Sequence, residues 1–104
     1  SFSISPIAMK LTIFLLAFLA ICYAEPFGPD VSHYQGTINW HDVKADGVGF
    51  AIAKASEGTS FVDPEFKANW KGMQEAGIDV RGAYHFGHPN SNATQQAVHF
   101  LEVV

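Results

Sequence analysis

Residues Val48 to Ala53 form an unbroken apolar run, VGFAIA, with Gly47 before it and Lys54 after it. A run this short and this free of charge reads as a strand buried on both faces, as parallel sheets require. Alternation along a strand puts Val48, Phe50 and Ile52 on one side and Gly49, Ala51 and Ala53 on the other. Three residues beyond Lys54 comes Glu57, followed by Gly58. An acid just past the carboxyl end of a buried parallel strand stands where α/β proteins place their chemistry.

Around this run the chain alternates strand and helix patterns. Phe27–Ser32 is predicted as a first strand with Asp30 near its carboxyl end, although Pro29 brings no ladder donor. A short helix is expected after Asn39, through Trp40, Val43 and Ala45, ending at Gly47. Asp63 is a good N-cap and Pro64 suits the first helical position. Phe66, Trp70 and Met73 then recur at i, i+4 and i+7 as one apolar stripe, with Gly77 as the stop. Asp79–Phe86 reads as a third strand with Val80, Gly82, Tyr84 and Phe86 on one face. A last helix, capped by Ser91 or Asn92, carries Ala93, Ala97, Phe100, Leu101 and Val104 along one side. This β-α-β-α-β-α order predicts an α/β fold with parallel pairing and right-handed crossovers.

The amino terminus reads differently. Met9-Lys10 precedes LTIFLLAFLAICYA, the layout of a secretory signal cut after Ala24, and the apolar part falls short of the ~18 residues a membrane span needs. The expected division is therefore residues 1–8 as upstream translation, 9–24 as signal peptide and 25–104 as the mature, secreted chain. Cleavage would remove Cys22, the only cysteine, so a packed core and not disulfides must stabilise the product. Residues 25–104 hold 5 Lys/Arg against 10 Asp/Glu, a net charge of −5 with no basic run, which argues against nucleic acid as a partner. The last helix runs to Val104 with no stop signal, which predicts a sequence cut short of the protein's end.

Asp30 and Glu57 would project from the same rim of a parallel sheet. Paired carboxylates at one rim suit glycoside hydrolysis, where one acid protonates the leaving oxygen and another serves as base, nucleophile or charge stabiliser. Taken singly, each could equally be a solvated or capping acid. Tyr84 and His85 close the third strand at the same rim; an aromatic there can stack on a sugar ring, and a histidine can bond hydroxyls or tune a neighbouring acid. The competing reading keeps Tyr84 and Phe86 in the core, and core packing is the expectation for Trp40 and Trp70. His85 and His88, with no cysteine or further ligand nearby, make no metal site. Asn92-Ala93-Thr94 is a glycosylation sequon. No Gly-rich phosphate loop follows the first strand, where Ser32-His33-Tyr34-Gln35-Gly36 stands.

Taken together, Asp30-Val31-Ser32-His33-Tyr34-Gln35-Gly36, Trp40, Lys54-Ala55-Ser56-Glu57-Gly58, Val62-Asp63-Pro64 and Gly82-Ala83-Tyr84-His85-Phe86 resemble glycoside hydrolase family 25, the CH-type lysozymes. The resemblance implies a (β/α) TIM-like barrel, of which three β-α units would be present, with the substrate groove at the carboxyl ends of the strands. It implies a secreted, monomeric muramidase, working outside the cell or in a digestive lumen. Such an enzyme hydrolyses the β-1,4 bond between N-acetylmuramic acid and N-acetylglucosamine in bacterial peptidoglycan, without metal or cofactor and without a membrane partner once the signal is removed. It assigns Asp30 and Glu57 to the active site, with Ser56 where the family pattern has threonine, and makes Tyr84 a sugar contact. It also places an Asp-x-Glu pair on a fourth barrel strand, which this sequence does not contain. Residues 25–104 alone are therefore expected to be inactive and to leave sheet edges exposed; the alternative is a non-catalytic secreted relative with at most glycan binding.

Overall fold

The computed structural model describes residues 25–104; the expected signal peptide at 9–24 and the stretch 1–8 lie outside the described residues. The organising strand is β2 (Ala51–Glu57), which begins three residues later than the apolar run and extends through Lys54 to Glu57 itself. Along one of its edges lies β4 (Arg81–Phe86), parallel to it and paired from Ala51↔Arg81 to Glu57↔Phe86. The other edge is shared. β1 (Asp30–Val31) pairs in parallel at Asp30↔Ile52 and Val31↔Ala53, and β3 (Phe61–Val62) pairs antiparallel at Ser56↔Val62 and Glu57↔Phe61.

The expected TIM-like barrel is thus corrected. Within the described residues the fold is α/β, but its sheet is open, mixed and four-stranded. Closing a barrel of this kind takes about eight strands, and β3 adds no new edge to propagate because it continues the row that β1 begins. The antiparallel β3 went unseen because it is only two residues long, below any readable alternation. Gly58 makes it possible: at φ 57° it reverses the chain immediately after Glu57.

The first strand is shorter than expected. β1 starts at Asp30, so the acid opens the strand and does not close it. Pro29 stays out of the ladder as a donor and contributes its carbonyl, which accepts the Ile52 N–H at 3.0 Å. Among the described residues three α-helices follow the strands: α1 (Trp40–Ala45), capped by Asn39 Oδ1; α2 (Phe66–Glu75); and α3 (Ala93–Val103), capped by Asn92 Oδ1. Asp63 does not cap α2 directly. Its Oδ1 accepts the Glu65 N–H in the turn before the helix.

The helices cover one face of the sheet. Ala51, Ala53 and Ala55 are fully buried there with Val31, Trp40, Val48, Phe66, Met73 and Ile78. Alanines suit a strand this close to helices, since larger side chains would hold the layers apart. Trp40 lies in this core and donates its indole N–H to Asn69 Oδ1 at 3.2 Å, while Trp70 is half-buried with the Arg81 guanidinium 4.4 Å from its ring centre. The stripe on α3 is rotated from the expected one: Phe100 and Val103 pack on the core, whereas Leu101 and Val104 are exposed.

Candidate active site on the open face of the sheet

The face opposite the helices carries the candidate site residues Asp30, Glu57 and Tyr84. Asp30 lies beside Ile52, which lies beside Gly82; Lys54 lies beside Tyr84; Glu57 lies beside Phe86. Cross-strand neighbours point to the same side. Val31 and Ala53 are in the core, so Asp30, Ile52 and Tyr84 must face away from it.

Simple alternation would put Lys54 and Glu57, three apart, on opposite faces. A register shift between Lys54 and Ser56 removes that conflict. The strand bulges at Ala55, and the extra residue returns Glu57 to the side of Lys54. Lys54 Nζ then meets Glu57 Oε1 at 2.5 Å, and His88 Nε2 lies 3.0 Å from Glu57 Oε2. Hydrogen bonds from Lys54 first and His88 second hold the Glu57 carboxyl below its ordinary range, and the weaker opposing effect of burial does not reverse this. Glu57 is therefore an anion at neutral pH and a poor proton donor. Lys54 itself is buried, with its ammonium 5.2 Å from the Phe61 ring centre and 5.1 Å from that of Phe86. Both rings lie within cation–π range.

Asp30 sits five positions earlier along the sheet, roughly 15 Å of strand, and is exposed with no ion pair among the described residues. The two acids share a face but are not each other's partners. Tyr84 lies between their levels. Burial pushes its phenol above the ordinary value; Lys54 opposes this, Asp30 and Asp63 add to it, and Ser32 opposes it weakly.

His85 goes the other way. As the neighbour of Tyr84 along β4 it faces the helices, with Nδ1 2.8 Å from Ser56 Oγ, Nε2 3.2 Å from Gln96 Oε1 and its ring edge-on to Phe100. The structure thus brings Asp30, Glu57 and Tyr84 to one face and places His85 behind it.

Sequence reasoning passed over three contributors. Lys54 ends the apolar run and opens the Lys54–Gly58 motif, and neither reading gives it a role of its own. Asp63, read as a helix cap, is buried and accepts both the backbone N–H and the Nδ1–H of His33 on Oδ2, each at 2.9 Å. Burial pushes its pKa up, but the bonds from His33 and Glu65 outweigh that and leave it lowered. Gln96 carried no signal, because its partners are distant in the chain. Among the described residues no group of three or more His, Cys, Asp and Glu side chains is placed to hold a metal ion, and no helix is long and apolar enough to cross a membrane.

An α/β sheet that gathers an exposed acid, a clamped acid and aromatics on one face has the side-chain types that α/β proteins with parallel strands use for their sites. The description of Glycosyl hydrolases family 25 matches residues 29–104, and the chain belongs to that family. It is 54% identical over 74 residues to lysozyme M1 of Streptomyces globisporus, an alignment covering 70% of this chain and 25% of that protein. Against the N,O-diacetylmuramidase of Chalaropsis it is 38% identical over 77 residues, covering 71% and 36%. Among solved structures, the family 25 glycosyl hydrolase of Bacillus anthracis superposes with a TM-score of 0.73 at 39% identity, over 77% of this chain and 36% of that one. The lysozyme of Streptomyces coelicolor gives 0.72 at 48% identity, over 77% and 37%. The chain thus spans a quarter to somewhat over a third of the length of these relatives.

Proposed function

We propose that the protein is a secreted lysozyme that hydrolyses the β-1,4 bond between N-acetylmuramic acid and N-acetylglucosamine in bacterial peptidoglycan. The observation that carries this is the family match over residues 29–104, supported by the open face that Asp30, Tyr84 and Glu57 share at successive levels. In this reading Asp30, with no ion pair among the described residues, is the acid that faces the scissile sugar. Glu57, already ionised, acts as fixed negative charge that holds Lys54 and His88 in place. Tyr84 supplies a ring against which a sugar can stack, between the two acids. His85 contributes from behind the strand by orienting its neighbours.

A glycosidase still requires a proton donor, and a Glu57 whose carboxyl is held below its ordinary range by bonds from Lys54 and His88 does not supply one. The acids that the family resemblance assigns to a fourth strand are the candidates for that role, and these 104 residues do not contain them. The test is release of new reducing ends from purified peptidoglycan by the full-length protein, with residues 25–104 alone as the control. The reading expects release by the first and none by the second. Absence of reducing ends from the full-length protein, on walls that a known muramidase digests, sinks it.

A further inference from the structure

Glu57 is held by a histidine that sits on a loop, and the loop has a buried anchor. Gln96, on α3, is almost fully buried. Its Oε1 accepts the His88 N–H at 2.8 Å, and its Nε2 donates to the carbonyls of His88 at 2.9 Å and Ser91 at 3.3 Å. This fixes the amide's orientation, since turning it over would set its NH2 against the His88 N–H and its oxygen against two carbonyls.

The orientation has a consequence for His85. Gln96 Oε1 can only accept, so His85 Nε2, 3.2 Å away, carries the proton and donates. In the neutral ring Nδ1 is then an acceptor, and the buried Ser56 hydroxyl donates to it at 2.8 Å. Ser56 adjoins Glu57, and Glu57 Oε2 is 3.0 Å from His88 Nε2. The contacts close a circuit: Ser56, His85, Gln96, His88, Glu57. It passes around the carboxyl end of β4 and joins the covered face of the sheet to the open one. Its buried half is saturated with hydrogen bonds, whereas the Glu57–His88 contact is partly exposed, with 30% and 46% of the side chains accessible. An exposed pair on an unanchored loop holds poorly.

We propose that Gln96 is a positioning residue for the active site: by gripping the backbone of His88 and the ring of His85 it sets the His88 imidazole against Glu57. The clamp keeps Glu57 occupied on both oxygens and keeps Lys54 directed at it. The inference rests on reading Glu57 as part of the glycan-cleaving site, and it deepens that reading by naming what holds the site's fixed charge.

The test is the carboxyl titration of Glu57, followed by 13C NMR in the full-length protein and in three variants. Gln96→Met keeps the length and packing of the stem and removes both hydrogen-bonding ends. Glu57 is expected to titrate at higher pH in Gln96→Met, and to the same extent as in His88→Ala, while Leu101→Ala, exposed on the same helix, leaves it unchanged. A Glu57 titration that moves in His88→Ala but not in Gln96→Met overturns the proposal, as does one that moves in neither. If Gln96→Met does not fold, the native protein decides: the His88 amide should exchange with solvent on the order of 100-fold more slowly than a free loop amide, and exchange at the free rate overturns the proposal. The two readings fail separately. A native protein that releases no reducing ends sinks the lysozyme assignment and leaves the titration result standing.

Discussion

The covered and open faces of this sheet hold their residues by different means. On the covered face Ala51, Ala53 and Ala55 of β2 are fixed by volume, buried in one cluster with Met73, Phe66 and Ile78. On the open face Lys54 and Glu57 are fixed by one another, by His88 and by two flanking rings. Loss of a packing residue leaves a hole that the whole domain feels. Loss of a charge partner leaves the backbone where it was and alters the titration and reach of what remains. The difference between the faces is therefore one between stability and chemistry, and each can be disturbed without the other.

The largest expected effect is on chemistry alone. Asp30→Asn should lower peptidoglycan hydrolysis by the full-length protein on the order of 10²- to 10⁴-fold, the usual scale for a group taking part in proton transfer or charge stabilisation. Because Asp30 is exposed and unpaired among the described residues, its unfolding free energy should stay within about 0.5 kcal/mol of the parent. Initial rates beside a urea titration measure both. Unaltered rates would make Asp30 a strand-end acid and nothing more.

Met73→Ala reverses that pattern. Met73 is 0% exposed and lies at the centre of the covered face, so truncation should cost about 2–5 kcal/mol through lost transfer energy and a residual cavity. The urea midpoint should fall, and the rate per folded molecule should not change. A loss of rate without a loss of stability would show that the two faces are mechanically coupled.

Asp63 stands between the two cases, buried like a core residue and charged like a site residue. Asp63→Asn should cost about 1–3 kcal/mol, since the bonds from the His33 and Glu65 N–H groups weaken and the His33 ring loses an anionic acceptor. The sign of its pH dependence follows from its lowered folded pKa. The stabilisation is fully present above the unfolded aspartate value of about 3.9 and is lost as pH falls through the folded value below it. The parent should therefore lose more stability than the variant between about pH 4 and pH 2. Parallel acid limbs in thermal melts would mean that Asp63 titrates alike in the folded and unfolded chains, and that its bonds from His33 and Glu65 do not lower its pKa.

How much of this was legible beforehand follows the same division. The covered face announced itself, because Ala51 and Ala53 opposite Ile52, and the stripe of Phe66 and Met73, are periodic and apolar. So was the face shared by Gly82, Tyr84 and Phe86. The open face was legible only as residue types at strand ends, without their partners. The bulge at Ala55 lies among small residues and leaves no trace in the sequence, yet it alone puts Glu57 beside Lys54. Alternation would also have separated Tyr84 from His85, had it been carried through to the site. Gln96 acts across chain separations that no local pattern reports. The barrel expectation came from the family resemblance and not from the alternation of strands and helices, which fixes the direction of pairing but not the number of strands; within the described residues that number is four.

The smallest effect offers the sharpest test of the charge partnership. In Lys54→Met the aliphatic stem is kept, so Phe61 and Phe86 retain an apolar neighbour and the thermal midpoint should move little. Glu57, however, loses the hydrogen bond that contributes most to its lowered pKa, and keeps only that from His88. Its carboxyl titration should therefore rise towards the ordinary glutamate range, and by more than in His88→Ala. The order of the two shifts is the informative quantity. If His88→Ala gave the larger shift, the loop and not β2 would govern the charge of Glu57, and the bulge at Ala55 would be an accident of packing.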